Sequence, residues 1–363
     1  MSRRRTLLVA GLSSVGVVAA ALAALCLTSG CTTLGYYGQA VGGHLDILQR
    51  SRPVPEWLAD SSTPDRLRQR LQLSQQMREF AVQELKLPDN ASYRRYADLG
   101  RPSVVWNVVA APELSLQLKT WCFPVMGCVG YRGYFQREAA EATAAKLRAE
   151  GWEVYVYGVP AYSTLGWTNW IGGDPLLNTF IHWPEGELAR LVFHELAHQV
   201  AYAGDDTMFN ESFATAVERI GGQRWLAQPG REAAAREYSE LDARRRDWRE
   251  LTLRHRQRLQ ALYTSGQSDD AKRAAKALLR EQLMAEVAAL KAGPWAGFTG
   301  YDRFFAEANN ATFGVQAAYN ELVPQFERLF EQHGRDFSRF YAEVQRLAAL
   351  PKAERRAKLG TSP

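Results

Sequence analysis

The sequence predicts an α+β fold. A small mixed sheet packs beside a pair of helices, and a helical C-terminal region containing a long α-hairpin follows. Three observations point to it. A β-prone stretch over 103–121 and a strand pattern over 152–159 lie either side of an amphipathic helix. An apolar helix near the middle of the chain contains His-Glu-x-x-His, with Asn-Glu twelve residues further on. After residue 228 the composition shifts to two long, highly charged helical patterns. The chain has 363 residues, 46% hydrophobic and 23% charged, which excludes global disorder. Only one stretch is apolar and long enough to span a bilayer, so a multi-span membrane protein is excluded as well.

That stretch opens the chain. Arg3, Arg4 and Arg5 precede an apolar run from Leu7 to about Leu27, the layout of a secretory signal over 1–30. Leu27-Thr28-Ser29-Gly30-Cys31 resembles a bacterial lipobox, with Thr28 where Leu is usual, and predicts lipidation of Cys31. An uncleaved anchor is the alternative. The leader also explains the charge. The formal +5 counts 44 bases, three of them in the leader; removing those leaves 41 against 39 acids, or +2. A nucleic-acid partner is not expected. Cys26 leaves with the leader, so Cys122 and Cys128 remain as an even pair in an oxidising compartment. A disulfide there would contribute ~2.4 kcal/mol by loop closure; a Cys-x5-Cys metal pair is the rival reading.

Further elements follow in order. Residues 31–90 make an anchor segment and a helix over 64–87, where Leu67, Leu71, Met77, Phe80 and Leu85 recur at helical spacing. A core follows over 91–228. Ser103–Ala111 is Val-rich and Leu114–Trp121 alternates. Arg137–Glu150 reads as a helix stopped by Gly151, and Trp152–Val159 as a strand, giving an α/β unit. Residues 160–184 read as loop. Helices are expected over 185–202 and 207–220, the second ended by Gly221-Gly222. The region 229–350 carries an α-hairpin, 231–263 and 269–292, joined by Ser265-Gly266-Gln267-Ser268. Arg244-Arg245-Arg246 is interleaved with acids and reads as a solvated face. One or two amphipathic helices cover 300–349, and 351–363 is expected to be a flexible tail.

Chemistry concentrates at His194-Glu195-Leu196-Ala197-His198. At i and i+4 on a helix, both imidazoles face one side and can share a cation. Glu195 lies about 100° around, where it can take a proton from an attacking water. Glu211 on the next helix offers a third ligand; two His and one Glu with an open fourth position are the donors of a catalytic Zn2+ site, one ion. Glu218, two turns after Glu211, is the rival ligand or an orienting partner for His194 or His198. The plainer alternative is two satisfied core histidines and a helix start at Asn210-Glu211.

His194-Glu195-x-x-His198 with Asn210-Glu211-x-Phe213-Ala214 resembles the gluzincin metallopeptidases. More closely, the chain resembles a family of zinc-dependent aminopeptidases found as proteobacterial lipoproteins. The likeness runs through Cys122-Phe123-Pro124-Val125, Tyr131-Arg132-Gly133-Tyr134-Phe135, Ala161-Tyr162-Ser163-Thr164-Leu165-Gly166-Trp167 and Asp174-Pro175-Leu176-Leu177-Asn178-Thr179. The resemblance implies a zincin-like catalytic core, ligands His194, His198 and Glu211, and a peptide substrate. It also implies a lipid-anchored protein on the periplasmic side of a Gram-negative envelope, at the outer membrane. Thr215 stands where wider gluzincins carry an acid, and the gap to Glu211 is shorter than in the best-known ones. Tyr162 is the first candidate for oxyanion stabilisation, with Tyr131, Arg132 and Tyr319 as alternatives. Asp174 and Glu218 are the candidates for holding a substrate α-ammonium.

Overall fold

The computed structural model describes residues 38–39, 42–123, 127–161, 172–316 and 322–360. The chain divides into two units, 1–49 and 50–363. Helix α1 covers 42–50. The second is a mixed α+β unit, mostly helical, with three small sheets.

The first sheet joins β1 (Arg52–Pro53), β2 (Arg95–Ala97) and β8 (Leu176–Leu177), with β2 parallel to β8. Between β1 and β2 lie α2 (Val54–Ala59) and α3 (Asp65–Gln83), the latter burying Leu67, Leu71, Met77 and Phe80 as their spacing requires.

The second sheet is centred on β3 (Val105–Ala111), all seven residues of which are buried. β6 (Arg132–Tyr134) and β7 (Glu153–Val159) flank it, each antiparallel to it. They are therefore parallel to each other, and α4 (Arg137–Ala149) carries the chain from one to the other across β3. The α/β unit expected from sequence is thus a split one: its first strand is the three-residue β6, and β3 is inserted in the middle. Ala140, Ala144 and Leu147 form the buried stripe of α4. Leu114–Trp121 does not extend as a strand. Leu116 packs into the helical cluster of the C-terminal region and Leu118 beside Val109 and Ala111 of β3 and Ala311, so the alternation is satisfied without an extended ladder. β4 (Trp121–Phe123) and β5 (Gly127–Val129) form a hairpin in which Cys122 faces Cys128. The two are joined by a disulfide.

Two helices follow side by side, α5 (Glu185–Ala197) and α6 (Thr207–Leu226). α5 stops at Ala197, short of the expected 202, with His198 as its C-cap. α6 runs on through Gly221-Gly222. A Cβ on Gly221 would come within 2.6 Å of Leu85 and 3.0 Å of Phe193, and one on Gly222 within 3.1 Å of Arg190. These glycines admit the neighbouring helix and do not end their own.

α7 (Glu232–Thr264) and α8 (Asp269–Ala292) are the long charged pair, and the Ser268 hydroxyl caps α8. Leu251, Leu259, Leu283 and Val287 pack with Trp295, Phe305 and Phe313. The arginine run is paired: Arg245 with Glu187 at 2.6 Å, Arg246 with Asp242 at 2.6 Å. Over 300–349 the described residues form four helices, more than the one or two expected: α9 (Asp302–Glu307), α10 (Asn310–Val315), α11 (Val323–Gln332) and α12 (Phe337–Ala348). Asn309 closes a capping box that starts α10 afresh, and Gly334, with φ +71, separates α11 from α12. The expected flexible tail is a helix, α13 (Lys352–Lys358), held by the buried side chain of Arg355.

Gly173 has φ +67, and a Cβ there would sit 2.5 Å from the backbone nitrogen of Ser92. Backbone cannot yield as a side-chain tip can. Gly173→Ala should lower unfolding free energy by roughly 2–4 kcal/mol, read as a shifted denaturant midpoint at unchanged slope.

Candidate metal centre

The site grows from α5. Its apolar residues Leu188, Val192, Phe193 and Leu196 are buried, which turns the remaining face, with His194 and His198, toward α6. α6 begins at Asp206, whose side chain accepts from the Phe209 amide. The segment between the helices is clasped by Asn210: its Oδ1 accepts from the Ala203 amide at 2.7 Å and its Nδ2 donates to the Ala203 carbonyl at 2.8 Å. Glu211 is thereby carried to the two imidazoles.

The three side chains make one triangle. His194 Nε2 and His198 Nε2 are 3.1 Å apart. Glu211 Oε2 lies 3.4 Å from the first, and Oε1 3.7 Å from the second. Ligands at ~2.0 Å around a tetrahedral ion stand about 3.3 Å from one another, so the spacing suits a small cation. These three residues form a group able to hold a metal ion.

Glu218 faces the other side of His194. Its Oε2 is 3.0 Å from Nδ1, while its Oε1 accepts from Arg190. A carboxylate on Nδ1 leaves Nε2 directed at the triangle, the arrangement of a metal-binding histidine with an orienting partner. Arg190, one turn before His194, is a residue that reading the sequence missed; its i, i+4 spacing was the available signal.

Burial depresses the basicity of His194, but hydrogen bonds to Glu211 and Glu218 outweigh it and hold the pKa well above the ordinary value. Burial, then the charge on His194, drives His198 down to about 4. Burial opposes ionisation of Glu218, yet the charge of Arg190 and the bond to His194 pull it to about 2. Glu211 is lowered by the two histidines despite its burial. With His194 protonated, Glu195, Glu211 and Glu218 against Arg190 and His194 leave one negative charge, and loss of that proton to a metal would leave two, the complement of a divalent cation.

Glu195 is half-buried next to His194. Burial first, then the charges of Glu195 and Asp174, raise the pKa of Tyr93. This buried phenol sits on a backbone with φ 64, and its amide donates to the Asp174 carbonyl at 2.7 Å. Gln199, beside His198, accepts from Asn90 at 2.6 Å and donates to Ser92 at 3.2 Å. The loop ahead of β2 therefore packs against the end of the motif, which no local signal announced. Tyr202 was also missed: burial and then the charge of Glu211 raise its pKa. Tyr131 packs against Val109 and Ala311, and Arg132 lies over the Tyr134 ring on β6. Cys31, Tyr162 and Tyr319 lie outside the described residues.

A family model described as “Putative aminopeptidase” matches residues 35–359. The chain belongs to this family. No curated protein and no solved structure matches it. The match spans all three residues of the triangle together with Glu195 and Glu218.

Two outcomes test the centre. Glu218→Ala should weaken zinc binding roughly 10–100-fold in a chelator competition. His194 retains a proton above the usual imidazole range, and a metal takes the neutral ring. Zinc uptake at neutral pH should therefore release a proton, and affinity should rise with pH until the His194 pKa is passed. Titration calorimetry in buffers of different ionisation enthalpy reads the released proton.

Proposed function

We propose that the chain is a zinc-dependent aminopeptidase of the gluzincin kind, with a zincin-like catalytic core over 91–228. The observation that carries this reading is the triangle of His194, His198 and Glu211, with Glu195 adjoining it, in a member of an aminopeptidase family. Two imidazoles and one carboxylate favour zinc over magnesium or calcium, which prefer more oxygen ligands. A bound zinc ion would supply Lewis acidity to the scissile carbonyl and lower the pKa of a coordinated water.

The residues of the chain do the rest. Glu195 accepts the proton of the attacking water and delivers it to the departing amine. Glu218, set by Arg190, keeps His194 in the tautomer that presents Nε2. Tyr162 remains the first candidate for stabilising the oxyanion, joined by Tyr202 through its proximity to Glu211. Glu218 has both carboxylate oxygens engaged by Arg190 and His194. Asp174, buried close to Tyr93, is the other candidate for the substrate's α-ammonium.

The leader pattern over 1–30 and Cys31 support a protein lipid-anchored at the outer membrane and facing the periplasm, acting on peptides there. The α-hairpin of α7 and α8 belongs to the helical region that flanks the core.

Zinc content and cleavage of free and N-blocked peptides test the reading together. Glu195→Gln should keep its zinc and lose roughly 10²–10⁴ in kcat. Equal cleavage of blocked peptides would argue for an endopeptidase, and undiminished turnover in the variant would remove Glu195 from the mechanism.

A further inference from the structure

The segment 198–206 links the second histidine to the helix bearing Glu211, and none of its residues belongs to a strand or helix. It is tied down from the far end of the chain. Gln345 on α12 donates to the Val200 carbonyl at 3.0 Å. Lys352 donates to the Asp205 carbonyl at 3.3 Å. Arg355 donates to Asp205 Oδ1 at 2.9 Å and to Asp206 Oδ2 at 3.1 Å. Arg356 grips Asp206 through both oxygens, Nε to Oδ2 at 2.9 Å and Nη2 to Oδ1 at 2.5 Å.

This pairing is buried: the side chains of Arg355 and Asp206 are 3% and 1% exposed. Arg355 also donates to the carbonyls of Leu347, Ala348 and Leu350 at the end of α12. Two guanidinium groups near the N-terminus of α6 would oppose the positive end of its dipole. The carboxylate of Asp206 offsets them while still capping α6 through the Phe209 amide at 3.1 Å. The forked contact fixes direction as well as distance. From Asp206 to Glu211 is five residues of continuous helix, so whatever fixes the first fixes the backbone of the second.

We propose that Arg355 and Arg356, acting through Asp206, are positioning residues for the metal centre. The C-terminal helix α13 clamps the start of α6 and sets where Glu211 stands relative to His194 and His198. This rests on the reading of those three residues as a metal site. Coupling of this kind is reciprocal, so metal uptake also tightens the docking of α13.

The test uses the full mature chain, metal-free, with zinc titrated against a chelator. Arg355→Ala and Asp206→Asn should each lower zinc affinity about 10–100-fold, the usual range for groups that orient ligands. Asp206→Asn keeps a competent cap for the Phe209 amide and removes only the charge, so it reads the coupling even if Arg355→Ala does not fold. Arg356→Lys should restore much of what Arg356→Ala loses. Lys358→Ala, on the same helix but paired with exposed Glu354 and not with Asp206, should bind zinc as the unaltered protein does. Leu283→Ala, a core truncation in the α7–α8 cluster, should lower the melting temperature and leave zinc affinity unchanged. Added zinc should also slow hydrogen exchange in α13 of the unaltered protein and not in Asp206→Asn. Stoichiometric zinc in the unaltered protein with equal affinity in Arg355→Ala and Asp206→Asn would overturn the clamp alone. Absence of tight zinc binding in the unaltered protein, or its survival in His198→Ala, would overturn the metal reading itself.

Discussion

The structure depends on how closely α6 can approach α5. Glu211 must meet two imidazoles across the contact between the helices, so their facing surfaces have to be held in register along its length. Small residues relieve the constraint at one end, where Gly221 and Gly222 face Leu85, Phe193 and Arg190. A polar clasp relieves it at the other, where Asn210 binds both backbone groups of Ala203. Around this pair α3 contributes Phe80, stacked edge-on to Trp225, and α11 contributes Phe326, edge-on to Phe209. The helical mass of the protein is a vice that holds two ligand-bearing faces together.

Burying charge inside that vice is costly unless each group has a partner. The molecule arranges its charges in a line: Arg190, Glu218, His194, then Glu211. Opposite signs alternate along it. Arg190 and His194 keep Glu218 ionised against its burial, while burial, then the charge on His194, keeps His198 neutral.

Some of this was legible in the sequence and some could not be. Spacing alone placed His194 and His198 on one face, because the helical period is fixed and the surrounding Leu and Val residues fix its buried side. The stripe of α4 was readable for the same reason. Gly221-Gly222 was misread, since a glycine that ends a helix and one that admits a neighbour look alike until the neighbour is known. β6, three residues long, carries too little alternation to be seen beside the Val-rich β3, so the split connection was hidden. The charged end of the chain looked like a solvated tail because the partner of Arg355, Asp206, is 149 residues away. Long-range charge pairing leaves no local trace.

That separation has a consequence for the order of events as the chain is made. Both histidines and Glu211 emerge well before Arg355, which is 149 residues beyond Asp206. Contacts between such distant segments form late, after the loop between them has closed. A growing chain would thus hold every ligand of the centre yet leave the 198–206 segment without its outer restraint. A chain ended before residue 355 would carry all three ligand side chains and lack the clamp proposed for them.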